Sequence, residues 1–236
     1  MMELAGGKLI LDEPAEAVAR LTLSNPERRY ALDHDVLDAF AEALPSLDRG
    51  IEIRCVIVTG AGGTFSAGYD IADIPADSFE RDAEALVAHP HHPAMEAVSA
   101  HPYPVLAAIP GPCLGGGLEL AVRCDLRVAG EGARLGMPPA KLGLIYGHTG
   151  LARFIDVIGV ARTKELFLTG RELTAARAEA IGLVNEVVPD AEVETASVDL
   201  AAEIAANAPL AARGNKRAIE TLAARRKSGI AGEEVP

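Results

Sequence analysis

Apolar residues in the first quarter of the chain follow strand-like and helix-like spacings in turn. The segment "KLILDEPAEAVARLTLSNPE" predicts two short strands joined by a turn at residues 12–16, since apolar positions alternate in "ARLTLS". The segment "ALDHDVLDAFAEALPSL" has apolar residues at helical spacing and predicts a helix capped by Asp33. The run "IRCVIVTG" is continuously apolar and predicts a strand buried on both faces.

The middle of the chain repeats this alternation of strands and helices. The segment "YPVLAAIPG" predicts a strand, "GGLELAVRC" a helix, "DLRVAG" and "ARLGMP" strands, and "GLARFIDVIG" and "TKELFLTG" helices. From Thr174 onward the apolar spacing is helical, which predicts an α-rich C-terminal quarter. We therefore expect an α/β core over residues 1–173, followed by an α-helical region over residues 174–236.

Composition narrows the class of protein. Of the 236 residues, 49% are hydrophobic and 24% charged, which is typical of a globular chain. No apolar run is long enough to span a bilayer, and the N-terminus lacks the pattern of a signal peptide, so we expect a cytoplasmic protein without a membrane partner. The net charge of −12 argues against nucleic acid as a partner. The cysteines Cys55, Cys113 and Cys124 form no CxxC pair, so neither a disulfide framework nor a metal site is predicted.

Three consecutive glycines at residues 115–117, in "GPCLGGGLELAVRCDLRVAG", precede a predicted helix. Glycine inside a helix costs about 1 kcal/mol relative to alanine, so the glycines indicate a close approach of another group to the backbone. The unpaired N–H groups of a helix start suit an anion or a developing oxyanion. Glu119, three residues after Gly116, lies on the same helix face, about 4.5 Å along the axis. Tight helix packing is the alternative explanation.

A second glycine-containing turn, "GAGGTFSAGYDI", follows the buried strand. It lacks the GK[ST] sequence and the GxGxxG spacing of nucleotide-binding loops. The backbone at residues 67–69 is positioned to direct a second N–H group to the same place as Gly116. Whether the two turns meet is open at this point.

Five motifs in this order resemble the crotonase (enoyl-CoA hydratase/isomerase) family: "NPERRYAL", "GTFSAGYDI", "PYPVLAAIPGPCLGGGLELAVRCDLRVAG", "ARLGMPPAKLGLIYG" and "ELFLTGRELTAARAEAIGLVNEVVP". The resemblance runs from about residue 8 to residue 220. It implies a spiral of ββα turns, a C-terminal trimerisation region that is shorter here than is usual, and a homotrimer or dimer of trimers. It also implies a coenzyme A (CoA) thioester as substrate, so that CoA enters with the substrate and no separate cofactor or metal is expected.

The resemblance assigns roles to residues in both turns. The backbone amides of Tyr69 and Gly116 would hold the thioester oxygen and stabilise an enolate, and Glu119 would be the acid/base. Hydratases of the family carry a second glutamate, which maps here to Pro139. Tyr146 lies where some members, including decarboxylases of malonyl-type thioesters, carry a tyrosine.

Hydration of a 2-enoyl-CoA is the expected default reaction. The alternatives are double-bond isomerisation, or decarboxylation that uses Tyr146; packing in the pocket wall is the other interpretation of Tyr146. A more distant alternative is a non-catalytic acyl-CoA or RNA binder. The RNA binder would use the basic residues Arg213, Lys216, Arg217, Arg225, Arg226 and Lys227. The presence of Glu119 argues against a non-catalytic acyl-CoA binder, and the net charge of −12 argues against an RNA binder.

The resemblance also indicates where CoA would bind. Arg28 and Arg29 fall where the family places basic residues near the CoA phosphates, and Lys216 resembles a C-terminal lysine with the same use. The predicted CoA site is completed by four residues of the second turn: Ala67, Tyr69, Asp70 and Ile71. Solvated surface charge is the alternative for the three basic residues.

Overall fold

The structure is a computed structural model that describes residues 1–47, 51–72, 74, 75, 77, 81 and 91–228. In this part of the chain a seven-stranded sheet is ordered β1, β2, β3, β4, β5, β7, β10. These strands are β1 (Met2–Leu4), β2 (Leu9–Ala15), β3 (Val18–Leu23), β4 (Cys55–Gly60), β5 (Val105–Ile109), β7 (Leu126–Gly130) and β10 (Glu186–Val188). The first three pair antiparallel, and every later pair is parallel.

A smaller sheet and the helices surround this one. The smaller sheet consists of β6 (Cys113–Leu114), β8 (Arg134–Gly136) and β9 (Leu173–Thr174). The helices are α1 (His34–Leu47), α2 (His91–Ala100), α3 (Gly116–Arg123), α4 (His148–Thr169), α5 (Ala175–Ala180), α6 (Val193–Ala206) and α7 (Pro209–Ser228). None of the described helices combines the length and apolar character needed to cross a membrane.

Hydrophobic packing covers both faces of the large sheet. The larger core cluster joins inward residues of β2 to β5 to helices α1, α2, α3 and α4. A smaller cluster packs Val193, Ala201 and Ala205 of α6 against the other face. The prediction of an α/β fold is confirmed. Parallel strands that are covered by helices on both faces are apolar throughout, because both of their faces are buried. "IRCVIVTG" and "YPVLAAIPG" have this pattern.

Several local predictions are confirmed. Asp33 caps α1 by accepting a hydrogen bond of 2.9 Å from the N–H of Val36. The cysteines Cys55, Cys113 and Cys124 are buried. The helices predicted in "GLARFIDVIG" and "TKELFLTG" are the two parts of α4, which join at a kink at Gly159, where the φ of +73° is not helical.

Two local predictions are wrong. The first hairpin does not turn at residues 12–16: β2 continues to Ala15, and the turn is at residues 16 and 17. The cause is a cross-strand ion pair, in which the guanidinium of Arg20 donates two hydrogen bonds to Asp12. The C-terminal quarter is not helical throughout, because β10 pairs in parallel with β7 and extends the large sheet.

Candidate active site

The two glycine-containing turns lie against each other. The N–H of Leu114 donates to the carbonyl of Ser66 at 2.9 Å, and the N–H of Ser66 donates to the carbonyl of Pro112 at 3.2 Å. A Cβ added to Gly68 would lie 3.2 Å from the backbone nitrogen of Gly116. The backbone of residues 66–69 is therefore held beside the N-terminus of α3, which answers the question that the sequence left open.

The backbone at Tyr69 forms an isolated parallel β-bridge with Leu32 on one side. The N–H of Leu32 donates to the carbonyl of Gly68, and the N–H of Asp70 donates to the carbonyl of Leu32. Neighbouring N–H groups of an extended chain point to opposite sides, so the N–H of Tyr69 points away from Leu32. At the start of α3, the N–H of Gly116 has no partner within the helix, as for every first helical residue.

Two of the three glycines at this helix start are required by close contacts. A Cβ on Gly117 would lie 2.6 Å from the Cβ of Ser66. A Cβ on Gly116 would lie 2.6 to 2.9 Å from Cζ, Cε2 and Cε1 of Tyr69. The close approach predicted from the sequence is therefore present within the protein itself, in the form of the Tyr69 ring.

Glu119 is the buried carboxylate of the site, with a relative exposure of 0%. Its Oε2 accepts a hydrogen bond from the hydroxyl of Tyr146. Its Oε1 lies 3.2 Å from Nη2 of Arg123, one helical turn further along α3. A buried carboxylate is costly unless it is paired and hydrogen-bonded, and both conditions are met here.

Tyr146 joins this carboxylate to an aromatic cluster. Its ring packs edge-on against Phe167 with centroids 5.3 Å apart, and Phe167 packs edge-on against Phe154 at 5.0 Å. On another side, a Cβ on Gly150 would lie 2.6 Å from Cε1 of Tyr146 and 2.8 Å from Oε1 of Glu119. Tyr146 thus packs in a wall, as one interpretation expected, and also contacts Glu119.

The two tyrosines of the site stay neutral phenols. Burial raises the pKa of Tyr146 well above its ordinary value, and the nearby Tyr69 and Glu119 raise it further. Burial likewise raises the pKa of Tyr69, and the charge of Glu119 acts in the same direction. Both hydroxyls are therefore hydrogen-bond donors at neutral pH.

Most residues of the predicted CoA site lie together at the edge of the second turn. Nε of Arg28 donates to Oδ2 of Asp70 at 2.8 Å, and the N–H of Ala67 donates to the carbonyl of Arg29 at 3.1 Å. Ile71 follows directly and is half-buried. A cavity of about 420 Å³ adjoins Arg28 and Asp70. The CoA-binding role of these residues stays a prediction.

Lys216 lies on α7 and is already engaged. Its Nζ donates to Oδ2 of Asp125 at 2.6 Å and to the carbonyl of Tyr103 at 3.1 Å, and its side chain is 11% exposed. Pro139 is buried in a short 3-10 helix, Pro139–Leu142. Of the basic residues in the RNA-binding alternative, Arg213 and Arg217 are exposed on α7. The side chains of Arg225, Arg226 and Lys227 lie outside the described residues.

Comparison with known proteins agrees with this geometry. The family model described as Enoyl-CoA hydratase/isomerase matches residues 13–233. The chain belongs to the enoyl-CoA hydratase/isomerase family. The crotonase resemblance is thereby confirmed.

Individual members of the enoyl-CoA hydratase/isomerase family are similar to this chain in sequence and in structure. The enoyl-CoA hydratase EchA19 of Mycobacterium tuberculosis is 36% identical over 203 residues, which cover 84% of this chain and 75% of that protein. A crystal structure of an enoyl-CoA hydratase/carnithine racemase from Magnetospirillum magneticum matches with a TM-score of 0.84 at 36% identity. The match covers 91% of this chain and 80% of that one.

A solved structure of a monofunctional enoyl CoA isomerase from M. smegmatis also matches. Its TM-score is 0.78 at 31% identity, and the match covers 92% of this chain and 93% of that one. Family membership therefore establishes the acyl-CoA class of enzyme, and proteins named for hydration and for isomerisation share the fold.

Three features of this family member were missed at the sequence level. They are the Arg123 ion pair, the contact of Gly150 with Glu119, and the position of the Tyr69 side chain. The first had a signal, because Glu119 and Arg123 are four residues apart in a predicted helix, a spacing that favours an ion pair. The other two depend on how separate segments meet, which local spacing does not encode.

Proposed function

We propose that this enzyme binds an acyl-CoA thioester with the thioester oxygen between the N–H groups of Tyr69 and Gly116, and that Glu119 transfers the proton. The meeting of the two turns beside the buried Glu119 is the observation that carries this proposal. Backbone donors at the position where negative charge develops stabilise an oxyanion, and loss of one such donor typically lowers the rate by about 10²–10³.

Hydration of a 2-enoyl-CoA is the proposed reaction. The water oxygen attacks C3 while Glu119 accepts a proton from that water, and the electron pair of the C2=C3 bond moves to the thioester oxygen as an enolate. C2 then takes the proton from Glu119, the enolate collapses, and the carboxylate is restored. Arg123 compensates the charge of Glu119, and the Tyr146 hydroxyl orients its Oε2. Relatives named as hydratases support this choice.

Mass spectrometry of a substrate panel tests the reaction. The purified enzyme is incubated separately with 2-enoyl-, 3-enoyl- and malonyl-type CoA thioesters. We expect the 2-enoyl thioester to gain the mass of water. Loss of carbon dioxide from the malonyl-type thioester, without hydration of the others, would contradict the proposed reaction.

Isomerisation or decarboxylation is the second candidate, and two observations favour it. Pro139 occupies the position of the second family glutamate, so the carboxylate pair of a hydratase is incomplete. In addition, Tyr146 donates its hydrogen bond to the remaining carboxylate. Isomerisation needs one group that moves a proton between C2 and C4. Decarboxylation produces the enolate by loss of carbon dioxide and needs no base to start.

Two variants separate decarboxylation from hydration and isomerisation. For hydration or isomerisation, Glu119→Gln removes the proton-transferring group, and we expect turnover to fall by about 10²–10⁴. Tyr146→Phe keeps the ring on Phe167 and should cost much less. For decarboxylation the order of the two effects should invert. Steady-state rates of both variants, with CoA binding as the control for an intact site, make this comparison.

A further inference from the structure

The side chain of Tyr69 occupies space that the proposed function does not assign to it. In that proposal only the backbone N–H of this residue acts. The ring nevertheless lies against Gly116, because a Cβ there would come within 2.6 to 2.9 Å of three carbons at the hydroxyl end of the ring. The phenol therefore covers the α-carbon of the residue whose N–H would hold the thioester oxygen.

The hydroxyl end of Tyr69 lies on the side of the site that holds Glu119. Its oxygen is buried from solvent. The charge of Glu119 raises the pKa of Tyr69, and the nearby Tyr69 raises the pKa of Tyr146. The ring thus spans from Gly116 to the bonded pair of Glu119 and Tyr146.

An acyl chain must share this space. With the thioester oxygen on Gly116 and C2 and C3 beside Glu119, the next carbons meet the phenols of Tyr69 and Tyr146. The wall behind Tyr146 is closed by Phe167 and Phe154, which pack edge-on. We infer that the side chain of Tyr69 limits the length of the acyl group, so that the enzyme takes short-chain acyl-CoA thioesters. This inference rests on the proposed function for the position of the thioester oxygen.

Binding of saturated thioesters tests the inference without depending on the reaction. Dissociation constants of butyryl-CoA and octanoyl-CoA are measured by calorimetry for the wild type, Tyr69→Phe and Tyr69→Ala. Tyr30→Phe is the control, since the Tyr30 hydroxyl lies against Gly62, in another turn. Circular dichroism checks folding, and Tyr69→Leu replaces Tyr69→Ala if the latter fails to fold.

We expect the wild type and Tyr30→Phe to bind butyryl-CoA at least about tenfold more tightly than octanoyl-CoA, as one misfitting methylene can cost this much. Tyr69→Ala should remove the preference by improving octanoyl-CoA binding. Tyr69→Phe should keep most of the preference, because the ring that occupies the space beside Gly116 remains.

Equal binding of both thioesters by the wild type would overturn the inference, as would an unchanged ratio in Tyr69→Ala. Either result leaves the proposed function standing if hydration is observed. If neither butyryl-CoA nor octanoyl-CoA binds, the proposed function and the inference are both overturned. The chain-length preference without any hydration would support the inference and contradict only the proposed reaction.

Discussion

The carboxylate of Glu119 is fully buried, and the side chains that contact it determine its orientation. Both of its oxygens are engaged, Oε1 by the guanidinium of Arg123 and Oε2 by the hydroxyl of Tyr146. Charge-assisted hydrogen bonds of this kind are stronger than neutral ones and fix the direction of the carboxylate. The side chain is therefore oriented before substrate arrives, which general acid–base catalysis requires.

A substitution at Gly150 tests whether turnover depends on the orientation of the Glu119 carboxylate. A methyl group there would meet both Tyr146 and Glu119, so we expect Gly150→Ala to displace the carboxylate and lower turnover by about a hundredfold. The matched control is Gly147→Ala, where no described residue lies within 4 Å of an added Cβ. Steady-state kinetics of the two variants give the comparison. Equal activity of both would contradict a role for Gly150 in seating Glu119.

At the scale of elements, α3 is anchored at both ends. At its start, Gly117 packs on Ser66. At its end, the buried Arg127 donates to the carbonyl of Cys124 at 2.8 Å and, through Nε, to the carbonyl of Leu183 at 2.7 Å. Burial lowers the pKa of this guanidinium, a cost that the hydrogen bonds offset. The helix that carries Glu119 is thereby tied to the segment before β10.

Lys216 joins α7 to the same end of α3. Because its ammonium is held by Asp125 and the carbonyl of Tyr103, we expect Lys216→Met to lower the free energy of unfolding by about 1–3 kcal/mol. CoA affinity should stay within about twofold. Arg217→Met, an exposed change on the same helix, is the control. Urea denaturation and CoA titration measure both quantities. Unchanged stability with weaker CoA binding would instead support the role that the family resemblance implied.

Apolar spacing was sufficient to predict most strands and helices, because each long element buries one face or both. It missed α2 and the short strands β1, β6, β9 and β10, none of which is longer than three residues except α2. It also misplaced the first turn, which the Asp12–Arg20 pair moves. The two glycine-containing turns were recognisable from their glycines. The direction of the Tyr69 ring was not, because it depends on contacts between residues distant in the sequence.

At the scale of the whole molecule, apolar side chains remain on the surface of two helices. Ile155, Val160 and Leu168 of α4 are exposed, as are Leu210, Ile219 and Leu222 of α7. Scattered apolar residues are ordinary, but several exposed on each of two helices are typical of a surface that another subunit covers. We propose a closed symmetric assembly, which is the usual outcome, and specifically the homotrimer that the family resemblance implies.

Sedimentation velocity tests the assembly. We expect a trimer or a dimer of trimers at micromolar concentration. The change Ile219→Glu should shift it toward monomer without unfolding the subunit, because this side chain is 65% exposed in the single chain. The exposed change Arg217→Glu serves as the control for added negative charge on α7. A wild type that sediments only as monomer would contradict the proposed trimer.

Solvent deuterium exchange tests most directly whether the two turns and Glu119 form and protonate a thioester enolate. The enzyme is incubated with butyryl-CoA in deuterated water, and mass spectrometry follows deuterium at C2. We expect the wild type to catalyse incorporation and Glu119→Gln to lose it while still binding butyryl-CoA. Wild-type protein that binds butyryl-CoA but incorporates no more deuterium than the protein-free solution would contradict the central claim.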